Sequence, residues 1–249
     1  MTPRQLDGVA RVQLKTLTKE NADEVARHLV MAARLIEEDP AAAHRHALAA
    51  ARRAGRIAVV RESVAITAYA TGDFALALRE LRTYRRISGR DDQIALMVDS
   101  ERGVGRPERA LELGRSVDRA SLPAAVQASL AIAMSGARLD LGDAETALAE
   151  LEIPQLDPAR VFDYSPALFH AYADVLEDLG RDREAAKWHR LAETAEEALF
   201  EASGAAASET IEIVEDAPAS DPTEPGTRDR TTSETDTSEG TAEKTEPGA

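Results

Sequence analysis

Four copies of a short phrase, each opening on a glycine, set the strongest limit on how this chain can fold. They read Gly72-Asp73-Phe74-Ala75-Leu76-Ala77-Leu78, Gly105-Arg106-Pro107-Glu108-Arg109-Ala110-Leu111, Gly142-Asp143-Ala144-Glu145-Thr146-Ala147-Leu148 and Gly180-Arg181-Asp182-Arg183-Glu184-Ala185-Ala186. Successive glycines lie 33, 37 and 38 residues apart. A period of that length marks a stacked array of helical hairpins, in which each unit buries only part of its apolar surface and needs its neighbours for the rest. Within the phrase, a glycine just past a helical run takes the left-handed conformation that ends the helix, with no Cβ penalty. Asp73 and Asp143 come next and can accept from the free amides of the following helix. Pro107 suits a first helical position, where an N–H has no partner anyway. Five residues past each glycine stands Ala77, Ala110, Ala147 or Ala185, whose methyl lets the two helices of a hairpin approach closely.

Apolar spacing and turn residues place helices near 4–16, 19–37, 41–54, 58–71, 74–88, 91–103, 107–118, 122–140, 144–152, 164–179 and 182–201. No window alternates as a strand does, so the expected fold class is all-α: a right-handed α-solenoid of antiparallel helix pairs. The chain of 249 residues is 43% hydrophobic but only 4% aromatic, a composition that builds cores of Ala, Leu and Val between close-packed helices. It contains no cysteine, which excludes disulfides, thiol nucleophiles and thiolate metal sites. The first residues mix Arg4, Asp7, Arg11 and Lys15 with apolar ones, and no stretch approaches the roughly 18 apolar residues of a membrane span. The sequence reads as a soluble, cytoplasmic protein.

Composition changes after about residue 203. Residues 204–249 hold 13 Ser or Thr and 12 acidic residues against three basic ones, a net charge of −9 with no aromatic residue. Such a segment buries too little apolar surface to offset its ordering entropy and is expected to be a disordered acidic tail. The expected organisation is thus an N-terminal helix or cap (1–20), a repeat domain (21–203, pairs near 21–54, 58–88, 91–118, 122–152 and 164–201) and the tail (204–249). Charge is uneven within the body: residues 41–90 carry ten arginines and a net +7, residues 91–203 a net −12.

On the glycine turn and the buried alanine, the chain resembles the tetratricopeptide repeat family over about residues 58–200. A weaker unit precedes at 21–54, where Asp39-Pro40 replaces the glycine turn and Ala43 falls at the alanine position. The family's Trp and Tyr marks in the first helix are missing, and Trp188 lies in a second helix. The body is also similar to repeat proteins of high-GC actinobacteria, and 26 Arg against 4 Lys agrees with such a genome. The resemblance implies that first-helix side chains line a concave groove taking a segment of another protein. Carried onto this chain, the groove positions are Glu62, Ser63, Ile66 and Tyr69, then Asp92, Asp99 and Arg102, then Leu139 and Asp140, then His170, Asp174, Glu177 and Asp178. A subclass of the family binds chaperone C-terminal carboxylates through basic and amide residues. The matching positions here, His28, Ala32, Ser63, Asp92 and Leu96, lack those residues, which argues against such a ligand.

The remaining polar clusters have plainer readings. His170 and Asp174 share a helix face at i and i+4, a spacing that could hold a metal or a general-base pair, but metal sites usually have three or four ligands and no second His-rich helix is visible, so no metal is expected. Arg79, Arg82 and Arg86 form a stripe on one helix, with Arg52, Arg53 and Arg56 around the turn that leads into its repeat. That basic patch is either a solvated face or a contact for phosphate backbones or an acidic protein. Phosphate loops, nucleophile elbows and H-E-x-x-H are absent. The expectation is a non-enzymatic protein-binding scaffold without cofactor, small-molecule substrate or membrane contact. The alternative is an RNA- or ribosome-associated factor using the arginines of 45–90.

Overall fold

The repeated phrases end and start helices by one mechanism. At each of them the glycine has positive φ (Gly72 78°, Gly105 75°, Gly142 77°, Gly180 71°). Its N–H donates to a carbonyl three residues back, and the next residue's N–H donates to one five residues back. Gly72 thus bonds Tyr69 at 2.9 Å and Asp73 bonds Ala68 at 2.9 Å; Gly142 bonds Leu139 at 2.8 Å and Asp143 bonds Arg138 at 3.0 Å. This pair of bonds satisfies carbonyls that the helix end leaves free, and it requires the left-handed residue between them. Asp73 and Asp143 then serve the following helix, accepting from the amides of Leu76 at 3.0 Å and Thr146 at 3.2 Å. In the earlier unit Asp39 accepts from Ala42 at 2.8 Å, with Pro40 in the first turn.

The structure, a computed structural model, describes residues 2–208, the last four by backbone alone. Among the described residues it is all-helical, with no strand. The helices are α1 (Gly8–Gln13), α2 (Lys19–Leu35), α3 (Pro40–Ala54), α4 (Ala58–Ala70), α5 (Phe74–Ser88), α6 (Ile94–Gly103), α7 (Pro107–Arg115), α8 (Ala124–Asp140), α9 (Ala144–Leu151), α10 (Ser165–Asp178) and α11 (Asp182–Ser208).

Several boundaries differ from expectation, three of them with a clear local cause. The single helix expected over 4–16 is broken into a 3-10 turn, α1 and a second 3-10 turn, because the Asp7 carboxylate accepts from Val9 at 2.8 Å and Ala10 at 3.2 Å and so starts a helix there. Helix α6 begins at Ile94 rather than at residue 91. The residues before it form a turn whose Asp92 carboxylate accepts from the Tyr84 hydroxyl at 2.8 Å. Helix α11 runs to Ser208, past the composition change at 203, because Ala205, Ala206 and Ala207 are strong helix formers. The remainder of the expected tail lies outside the described residues.

Helices pack on their neighbours in the chain: α2 on α3, α4 on α5, α6 on α7, α8 on α9 and α10 on α11, with α3–α4, α5–α6, α7–α8 and α9–α10 joining one pair to the next. First helices also touch each other at α2–α4, α6–α8 and α8–α10. Ala77, Ala110, Ala147, Ala185 and Ala43 are fully buried, as the phrase requires. The buried apolar residues form clusters that succeed one another along the chain. Val25, Leu29 and Val60 belong to the first, Leu81, Ile94, Leu130 and Met134 to a central one, and Leu151, Leu168 and Leu176 to the next. Gly114 marks a close approach of α7 and α8, since a Cβ there would lie 2.5 Å from the Met134 sulfur.

Candidate functional site

Residues of α4, α6 and α8, the first helices of three successive pairs, line a cleft of about 600 Å³. Its apolar surface comes from Ile66 on α4, Ala95 and Leu96 on α6, and Ala125, Val126, Ile132 and Ala133 on α8. Tyr69, Asp92, Gln93, Asp99 and Ser129 supply the polar groups, so the lining carries two carboxylates and no basic residue. A smaller cleft of about 240 Å³ lies between α2 and α4, lined by Leu29, Ala32, Ala33, Ile36, Ser63, Ile66 and Thr67. Ile66 belongs to both.

The polar groups at the larger cleft are held in place. The Tyr69 hydroxyl donates to Asp99. Arg102 donates to Asp99 at 2.6 Å and, through Nε and Nη2, to Asp140 at 2.7 and 3.2 Å. Burial, then the bond to Asp99, push the Tyr69 phenol up to about 12, so its hydroxyl stays a donor at neutral pH. Gly136 makes room for the Arg102 guanidinium, because a Cβ at that position would lie 2.3 Å from Nη1. Asp92 pairs with Arg90 at 2.6 Å while accepting from Tyr84. Burial raises the Glu62 carboxyl above the usual carboxylate range, and Gln93 donates to it at 2.7 Å. Each carboxylate thus has a fixed partner, which leaves an apolar cleft with a preorganised acidic edge.

The structure gathers the early groove positions and separates the late ones. Ile66, Tyr69, Asp92 and Asp99 line the larger cleft, Ser63 lines the smaller one, and Glu62 and Arg102 stand beside them through Gln93 and Asp99. Of the positions compared with the carboxylate-binding subclass, Ala32, Ser63, Asp92 and Leu96 also line the clefts. By contrast, His170, Asp174 and Glu177 face α11. His170 meets His189 and Glu196, while Glu177 and Asp174 lie 3.2 and 3.9 Å from His189. The i, i+4 pairing of His170 with Asp174 is therefore replaced by a contact between helices.

Half of the basic patch is already partnered. Arg53 pairs with Glu24 at 2.5 Å, Arg79 with Glu80 at 3.1 Å and Arg82 with Glu101 at 2.7 Å. Glu80 and Glu101 are nearly fully buried, so their arginines neutralise charge that the fold has taken from water. Arg52, Arg56 and Arg86 make no ion pair among the described residues, and Arg56 lines a separate recess with Arg90 and Ser88.

Sequence reasoning missed the α8 wall, Ala125, Val126, Ser129, Ile132 and Ala133, and chose Leu139 and Asp140 on that helix instead. A signal for it was present, since these residues recur at i, i+1, i+4, i+7 and i+8, a second stripe on a helix whose other face already fills the core. Among the described residues no three His, Asp or Glu side chains are arranged to hold a metal ion, and no helix is long and apolar enough to cross a membrane. Compared with models of protein families and with curated proteins, the chain matches none.

Proposed function

We propose that this protein is a cytoplasmic, non-catalytic interaction scaffold: a right-handed α-solenoid of the tetratricopeptide kind whose first-helix groove holds a segment of another protein. The observation that carries this reading is the cleft across α4, α6 and α8. It is open, mostly apolar, and built in part from the residues that the resemblance assigns to the groove. Its two carboxylates, Asp92 and Asp99, are tied to tyrosine and arginine, which fixes them as a recognition edge. The neutralised state of Arg53, Arg79 and Arg82 favours this reading over an RNA-binding surface.

The test is capture of binding proteins from lysate by the full chain and by two sets of variants. Ile132→Glu and Ile66→Glu place a charge on the cleft floor, and each is expected to weaken capture by about tenfold or more, since tenfold is only 1.4 kcal/mol. Arg52→Glu with Arg86→Glu leaves the cleft intact and is expected to retain it. Loss of capture with the arginine variants and retention with the cleft variants would move the site to the basic surface. Far-UV circular dichroism establishes that each variant is folded.

A further inference from the structure

His170 on α10 and His189 on α11 face each other with their Nδ1 atoms 3.3 Å apart. Their outer nitrogens each meet a carboxylate: His170 Nε2 lies 3.3 Å from Glu196, and His189 Nε2 lies 3.2 Å from Glu177 and 3.9 Å from Asp174. An ionised carboxylate only accepts, so these contacts are hydrogen bonds in the tautomer that carries the hydrogen on each Nε2. A neutral imidazole has a single N–H, and with it on Nε2 the Nδ1 is a bare lone pair. The carboxylates therefore turn two lone pairs toward each other across 3.3 Å, an arrangement that repels until a cation sits between them.

A metal ion of the zinc type fits the spacing. Zinc–imidazole bonds of about 2.0–2.1 Å at a tetrahedral angle set the two nitrogens about 3.3–3.4 Å apart. Metal-bound histidines also donate their other N–H to a carboxylate, which fixes the ring and raises its basicity. Both side chains are partly exposed, 38% for His170 and 29% for His189, so an ion has access and water can complete its coordination. We propose that His170 and His189 form a two-histidine, water-completed site for a divalent transition metal of the zinc type, clasping α10 to α11, with Glu196 and Glu177 as the positioning carboxylates. The proposal is independent of the groove reading.

A second pair provides an internal contrast. His28 on α2 and His46 on α3 also meet through Nδ1, at 2.9 Å. No carboxylate bonds their outer nitrogens among the described residues. Arg52 and Arg53 oppose a positive charge on His28, and the nearby Glu24 is taken by Arg53 at 2.5 Å. The surroundings of that pair disfavour a cation, whereas those of His170 and His189 favour one.

The experiment is calorimetric titration of the full chain with zinc chloride, with the thermal unfolding midpoint measured alongside and cobalt(II) absorption as a check on nitrogen ligation. One equivalent is expected to bind, raising the midpoint by about 3–5 °C at a tenfold excess over the dissociation constant. His170→Ala, His189→Ala and the gentler His189→Gln each abolish that binding, His28→Ala keeps it, and Glu177→Gln with Glu196→Gln weakens it about tenfold or more. The absence of heat and of any midpoint shift would overturn the proposal and leave a proton as the cation between the rings. Binding that survives both alanine variants would overturn it as well, placing the metal on carboxylates elsewhere.

Discussion

Between α4 and α9 arginine–carboxylate pairs tie one element to the next, beside the Tyr69–Asp99 bond. Arg61 reaches Glu80 at 2.6 Å, Arg82 reaches Glu101 at 2.7 Å, and Arg119 and Arg138 reach Glu150 at 2.9 and 3.5 Å. In α10–α11 histidine meets histidine, and in α2–α3 it does so beside the Arg53–Glu24 pair. Arginine stays charged at any pH the fold survives, so the central ties are constant, whereas imidazole changes charge near neutrality and takes metals. The middle thus fixes the cleft, and the two ends carry the groups that respond to solution conditions. The difference between the ends is one of surroundings, arginines at the first and carboxylates at the last.

The contrast between middle and end is broken most strongly by removing a core side chain from each. Leu130 in the central cluster is fully buried, and Phe169 in the last one is nearly so, edge-on to Trp188. Leu130→Ala and Phe169→Ala are each expected to cost about 2–5 kcal/mol. Leu130→Ala should lower the denaturation midpoint at constant slope, while Phe169→Ala should also flatten the transition, because an end unit held by one neighbour can melt on its own. Equal slopes for both would mean that the chain unfolds as a single unit.

A smaller effect is expected at the crossing of α8 and α9, where Ala147 is fully buried. Ala147→Leu overpacks this contact and should destabilise by about 1–3 kcal/mol. An unchanged midpoint would show that the repeat's alanine is not a tight crossing point.

The mildest test is acidification. Burial, then the neighbouring His46, hold His28 below the ordinary imidazole range, and burial does the same to His44. Glu24 and Asp73 act in the opposite sense, and Arg53 and Arg52 with the dominant one at His28. The folded chain therefore binds fewer protons than the unfolded chain once the pH falls below about 6.5, and stability present at neutral pH is lost as the pH drops toward the lower folded values. Denaturation midpoints between pH 7.5 and 5 should fall, and His28→Gln with His44→Gln should reduce that slope. A slope untouched by the double variant would place the acid sensitivity elsewhere.

Much of the fold was legible because its signals are short. Gly72, Gly105, Gly142 and Gly180 sit at left-handed turns, and Asp73 and Asp143 cap the helices that follow. The break at Asp7 was missed although an Asp-Gly step marks it, because the apolar spacing runs on across the turn. At the cleft, Ile66, Tyr69, Asp92 and Asp99 were legible, whereas the α8 wall and the Gly136 slot were not, since neither has a local signature. His189 was missed for another reason. It lies nine residues after Gly180 while His170 lies ten before it, and in a hairpin residues equidistant from the turn come alongside, so the pair shows only once the turn is used as a mirror.

By itself, the sequence determined where helices stop and start and which small residues lie between paired helices, because caps, left-handed turns and the alanine contact depend on atoms within a few positions along the chain. Tertiary structure alone decided which first-helix faces meet at the cleft, which arginines are spent on buried glutamates, and that two histidines on different helices share one contact. Those outcomes depend on how helices separated by tens of residues cross and stack, and packing that distant is set by the sum of many side-chain contacts rather than by any one motif.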